Sequence, residues 1–218
     1  MSLEKASPVS RLTLIRAGAS PSTQERLKFS ADHSLARDAV RRELNITSLT
    51  EQLSAIGISA HAVRSQACSL QDHLLRPNRG RRLLAEDRVA LGSTTDVAVI
   101  VADGLSAGAI EKYAARLLQA FGGVERATIV RHGRVAIGDE IGAALEARLA
   151  IVLIGERPGL SAAESLGTYI TYAPRPGRTD AERVCISNVR DGGNPPERAA
   201  LQLREVVTLA LQEKKTGV

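Results

Sequence analysis

Aromatic residues are nearly missing from this chain. Three Tyr and two Phe stand among 218 residues, and there is no Trp. So few rings exclude the base-stacking modules that read RNA or single-stranded DNA on an aromatic sheet. They also require a core built from Leu, Val, Ile and Ala. Cysteine is equally sparse, with only Cys68 and Cys185. One possible pair is no disulfide framework, and no CxxC or Cys/His cluster offers a zinc site. No run approaches the roughly 20 apolar residues that span a bilayer. The opening MSLEKASPVSRL has no apolar signal region, so the cytoplasm is the expected location.

Several nucleotide signatures are missing too. No GxGxxG follows a strand, and there is no GxxxxGK[ST]. No GxSxG elbow presents a nucleophilic serine. ADGLSAG has two glycines at the wrong spacing for a phosphate turn, and reads as a strand-to-helix connection. RDGGNPPE could offer backbone N–H groups to an anion, but a tight turn into a capped helix accounts for it. The histidines, His33, His61, His73 and His132, stand apart in sequence and read as surface or core residues.

What is present is a basic balance, a net charge of +5 with a pI near 9.6. Arg is mixed with Asp and Glu along the chain, so no single face is predicted to be basic. The densest cluster, RPNRGRR (Arg76–Arg82), reads as a solvated loop or subunit contact, with phosphate contact as the alternative. A stand-alone α/β module that binds a nucleotide or nucleic acid is the rival reading for the whole chain.

Periodicity divides the chain in two. Residues 1–90 read as a polar, helical segment. In STQERLKFSADHSLARDAVRREL, Leu27, Ala31, Leu35, Ala39 and Val40 share a face. Ser22 with Glu25 begins a capping box, and Asn45 is a stop. SLTEQLSAIG and SLQDHLLR give two further helices, ended by Gly57 and before Pro77.

Residues 91–218 change period. DVAVIVADG, RATIVRHG and AIVLIGE are apolar, β-branched runs typical of strands buried on both faces. Helices alternate with them, one from Ser106 to Gly122 and one in GDEIGAALEARL. GTYITYAP and RVCISNV are further strands. NPPERAALQLREVVTLALQEKK closes the chain as a helix, with Asn194 as cap and Pro195 at its first position. Alternation of this kind predicts an α/β fold, a parallel-sheet domain after an N-terminal helical segment. Ligands on such sheets sit outside the carboxyl ends of the strands. Four polar, glycine-bearing loops should converge there: ADGLS, RHGRVAIGDE, GERPGLSAAES and CISNVRDGGNPPE. Cys185 lies inside an apolar strand and is expected to be a buried, inert thiol. No acid, base, nucleophile or metal set stands out, which suits a binding subunit better than a self-sufficient enzyme.

Longer motifs carry a resemblance. GERPGLSAAESLGTYITYAPRPG followed by CISNVRDGGNPPE is similar to the small (light) subunit family of ethanolamine ammonia-lyase. DHLLRPNRGRRL, DVAVIVADGLSA and RVAIGDEIGAALEARLAIVLIGERPGL agree, and the likeness runs from about Arg11 to the C-terminus. The resemblance implies that residues 91–218 form a Rossmann-like cobalamin-binding domain, with adenosylcobalamin as cofactor and a large TIM-barrel subunit as partner in a hetero-oligomer. It implies radical conversion of ethanolamine to acetaldehyde and ammonia, with the substrate site on the large subunit and no catalytic residue on this one. A bacterial microcompartment is an alternative housing within the cytoplasm. The family's cobalamin keeps its own dimethylbenzimidazole on cobalt, in keeping with the missing Asp-x-His-x-x-Gly pattern. Matched by motif, the implied cobalamin contacts are Val135 of RVAIGDE, Glu156 of GERPGL and Cys185 of CISN. No metal ligand, nucleic-acid partner or membrane contact is implied.

Overall fold

Four strands run parallel in one sheet: β1 (Ser59–Arg64), β2 (Val97–Ala102), β3 (Arg126–Arg131) and β4 (Leu149–Gly155). Antiparallel β5 (Leu166–Tyr172) and β6 (Arg183–Val189) extend them, giving the order β1-β3-β2-β4-β5-β6. The structure, a computed structural model, describes residues 16–17, 20–92 and 94–217. The expected α/β fold is present, with a mostly parallel sheet preceded by a helix. All seven residues of β4 are buried, as a two-sided apolar strand requires.

The longer helices are α1 (Thr23–Arg41), α2 (Ile46–Ala55), α3 (Leu70–Leu75), α4 (Ala107–Phe121), α5 (Ile137–Ala144) and α6 (Pro196–Glu213), and a single helical turn, Pro77–Gly80, stands where a loop was expected. One core cluster joins α2, α4 and α6 to one face of the sheet through Leu49, Leu53, Ile110, Leu117 and Leu203. The other face is covered by α5 and by the segment holding Leu83 and Leu91. Each buried Leu, Ile or Val contributes about 1.5–3 kcal/mol, so these two clusters dominate stability.

The segment before residue 90 is not wholly helical: β1 is an unexpected strand. SAHAVR has only Val63 buried, so neither an apolar run nor clean alternation marks it. It pairs with β3 from Ser59↔Arg126 to Arg64↔Arg131 at the sheet edge. Leu44, Leu49, Leu53 and Ile58 belong to the same core as the later strands. By contrast α1 buries no residue, and Leu27 and Leu35 are 68% and 60% exposed.

Caps differ in detail from the expectation. Ser22 Oγ accepts the Glu25 N–H as predicted. Asn45 caps α2 by accepting the Ser48 N–H, while α1 ends at Arg42. Ser106 holds the N-cap position of α4 without a capping bond, and its hydroxyl turns to the Ala163 carbonyl. In α6 the first helical residue is Pro196 instead of Pro195, and the Asn194 amide bonds Gln202.

Candidate functional site

Because β1 to β4 are parallel and β6 runs with them, their carboxyl ends share one edge. That edge collects the loops after β2, β3, β4 and β6. Close approach of backbone holds them together. Gly155 ends β4 against the Ser106 and Asp103 carbonyl oxygens, and a Cβ there would collide with both. The Leu105 N–H donates to the Gly155 carbonyl at 3.0 Å.

Glu156 is the first residue beyond β4 and is half-buried. Its backbone N–H donates to the Ser165 carbonyl at 2.9 Å, closing the 157–164 loop. Its Oε2 accepts the Ser165 hydroxyl at 2.6 Å. The Asn188 N–H reaches both carboxylate oxygens, at 3.1 and 3.2 Å. Asn188 itself takes a left-handed turn, φ 57°, which Asn tolerates better than most side chains. One carboxylate thus ties together the loop after β4, the start of β5 and the end of β6. A carboxylate accepts about four hydrogen bonds, so acceptor capacity remains.

Cys185 stands opposite Tyr169 in the β5–β6 ladder. Burial raises the Tyr169 pKa, and the nearby Cys185 and Glu156 add to it. Burial likewise raises the Cys185 pKa, with the Glu156 charge acting the same way. Yet Cys185 is exposed, which corrects the expectation of a buried thiol. The reason is coverage: α5 lies over β2 and β4 on this face, and Cys185 on β6 has no helix above it among the described residues. The thiol is weakly acidic and exposed, suited to contact and unsuited to nucleophilic chemistry.

Val135 sits in the loop between β3 and α5, half-buried. It packs against the same core cluster as Tyr169. So the structure places the three expected residues on one face: Glu156 just beyond β4 and Val135 in the loop after β3 stand at the carboxyl edge, while Cys185 lies at mid-sheet, opposite Tyr169, which itself pairs with Val152. A buried ion pair joins the two sides of this face. Arg183 donates to both Asp139 oxygens at 2.6 Å, and neither side chain is more than 3% exposed. Asp139 opens α5, just after Val135; Arg183 opens β6, just before Cys185.

Other residues at the edge were not singled out by spacing. Asp103 accepts the His132 N–H at 2.7 Å and the Gly133 N–H at 3.0 Å. Its burial raises its pKa, against those two hydrogen bonds. His73 and His132, 59 positions apart, bring their rings to 5.7 Å. An Asp directly after the apolar run in VADG was the one available sign. The histidines gave none, because their pairing is made by loops.

The basic segment is partly neutralised: two carboxylates, Asp72 and Glu140, meet three of its four arginines. Arg76 and Arg79 both meet Asp72, and Arg82 meets Glu140. Among the described residues no group of three or more His, Cys, Asp or Glu could hold a metal ion. No helix among them is long and apolar enough to cross a membrane.

The family described as ethanolamine ammonia-lyase light chain matches residues 2–218. This chain belongs to that family. Relatives named ethanolamine ammonia-lyase small subunit agree with the match. One from Rhodopseudomonas palustris (strain BisA53) is 45% identical, over 95% of this chain and 84% of its own length. Another from Bradyrhizobium diazoefficiens is 41% identical, over 95% and 85%. A third, from Xanthomonas campestris pv. campestris (strain ATCC 33913), is 42% identical over 95% and 82%. As a light-chain family member, the protein is a subunit of a lyase, and a small subunit implies a larger partner.

Proposed function

We propose that this small subunit, assembled with its large subunit, forms an adenosylcobalamin-dependent ethanolamine ammonia-lyase and provides one wall of the cofactor site. The observation that supports this is the uncovered face beside the strand-end edge, where Val135, Tyr169 and Cys185 offer apolar surface and Glu156 offers an acceptor. A corrin presents the complementary chemistry, a broad ring bordered by amide N–H donors. The Glu156 carboxylate would receive such a donor, and charge-assisted bonds are the stronger ones. Val135 and Cys185 would exclude water by packing. Tyr169 lies directly across the β5–β6 ladder from Cys185, and Glu156 is itself fixed by Ser165 and Asn188.

When bound, adenosylcobalamin supplies the carbon-centred radical that starts the conversion of ethanolamine to acetaldehyde and ammonia. This chain supplies binding and orientation, with no acid, base or nucleophile of its own in the reaction. The substrate site belongs to the large subunit, which we take to be a TIM barrel. The pairing of Arg76, Arg79 and Arg82 with Asp72 and Glu140, together with the scarcity of aromatic side chains, counts against the rival nucleic-acid reading.

The test is co-purification with a large subunit, followed by an acetaldehyde assay with ethanolamine. Release that needs both subunits and adenosylcobalamin is the expected result. Release without this chain, or none from the complete mixture, overturns the reading.

A further inference from the structure

Behind the loops at the strand ends lies a buried titratable side chain that the proposed cofactor wall does not use. His73 on α3 has no solvent exposure. Its Nε2 lies 2.7 Å from the Gly104 carbonyl oxygen, in the loop after β2. Its Nδ1 lies 2.9 Å from the His132 carbonyl oxygen, in the loop after β3. The ring therefore spans the gap between two loops of the ligand edge. A neutral ring has one N–H and donates to only one of these carbonyls; His132 O already accepts the Ser65 hydroxyl at 2.9 Å, so the proton goes to Gly104 from Nε2, and the Nδ1 side is held by packing and not by a hydrogen bond.

We propose that His73 is a positioning residue: it sets the separation of the loops after β2 and β3, and so the placement of Val135 at the edge. The proposal rests on the reading of that edge as a cobalamin wall. Three observations support it. His132 holds a left-handed backbone, φ 59°, a conformation costly for a non-glycine residue and kept only where surroundings fix it. Asp103 bridges the same two loops from the other side, through the His132 and Gly133 N–H groups. Arg134, next to Val135, donates to the His73 carbonyl at 2.9 Å and, through its backbone N–H, to Gly80 at 2.8 Å. Gly80 packs against the ring so closely that a Cβ would lie 3.1 Å from Nδ1.

A buried histidine that merely fills space would be replaced well by an apolar side chain of similar volume. A clamp would not, because the Gly104 carbonyl would lose its donor. Glutamine can restore a donor from one amide nitrogen. The experiment assembles wild-type, His73→Gln and His73→Leu chains with the large subunit. Each complex is titrated with hydroxocobalamin, and amide hydrogen exchange is followed over residues 103–106 and 132–136 without cofactor. His73→Leu should weaken hydroxocobalamin by about tenfold or more, and His73→Gln by no more than about threefold, the scale of one buried hydrogen bond. Exchange in both loops should quicken in the Leu chain and stay near wild type in the Gln chain. Equal binding and exchange for Leu and wild type overturns the clamp, and so does equal loss for Leu and Gln. If the Leu chain does not assemble, the Gln chain decides: near-wild-type behaviour supports the clamp, a tenfold loss refutes it. If the wild-type complex binds no hydroxocobalamin, the cofactor reading fails, while the exchange comparison still tests the clamp.

Discussion

The Glu156 carboxylate accepts the Asn188 backbone N–H, with contacts of 3.1 and 3.2 Å to its two oxygens. The two residues are 32 positions apart; Glu156 follows β4 and Asn188 is the last residue but one of β6. Their contact, with the Ser165 hydroxyl at 2.6 Å, shapes the rim of the uncovered face. A side chain that is expected to meet a ligand is also part of the frame that presents it. Effects of its removal therefore include loop geometry as well as any lost ligand bond.

The Arg183–Asp139 pair should be costly to break and cheap to replace. Removing one partner leaves a buried charge alone, at about 3–5 kcal/mol, while a paired apolar replacement can be nearly neutral. Asp139→Ala and Arg183→Ala should each lower the urea midpoint sharply. The double variant Asp139→Leu, Arg183→Met should lose far less. Equal and additive losses would show that the two side chains do not act as a pair.

Acid should weaken the fold partly through His73. Burial first, then the Arg134 charge, lowers its pKa from 6.5 to about 4. An unfolded ring would take up a proton in the window where the folded ring does not. The contribution is thus complete above the ordinary value and lost as pH falls toward about 4. The His132 charge acts in the same direction as Arg134. Asp103, whose pKa is raised, gives the opposite slope. Comparing wild type with His73→Gln isolates the term: stability of the Gln chain should fall less between pH 6.5 and 4. Parallel curves would contradict this.

Cys185 should alkylate slowly for an exposed thiol. Partial desolvation against the sheet, and then the Glu156 charge, raise its pKa, so little thiolate forms near neutrality. Adding hydroxocobalamin to the assembled complex should slow iodoacetamide labelling of Cys185 further, read by mass spectrometry. An unchanged rate would place the cofactor elsewhere.

Much of this edge was legible because buried parallel strands write themselves as apolar runs. AIVLIGE needed no long-range information to be read as β4, and the Gly and Pro after it marked a loop. SAHAVR was not legible as β1, because an edge strand with one buried residue has no period to detect. The exposure of Cys185 was hidden for a related reason. An apolar strand says what its faces prefer, but only the position of α5 decides that this end of β6 is left uncovered. His73, Asp103 and His132 meet through backbone carbonyls and N–H groups, which carry no sequence pattern. Val135, Glu156 and Cys185 were reached through family motifs, and their shared face emerged only with the sheet order.

Titration of the assembled complex with hydroxocobalamin, comparing wild type with Glu156→Ala, tests the central claim most directly. Loss of one charge-assisted hydrogen bond is worth about 1.5–3 kcal/mol, or roughly ten- to a hundredfold in affinity. The account predicts tight binding to wild type and a loss of that size in the variant. Equal affinity for the two complexes would contradict it.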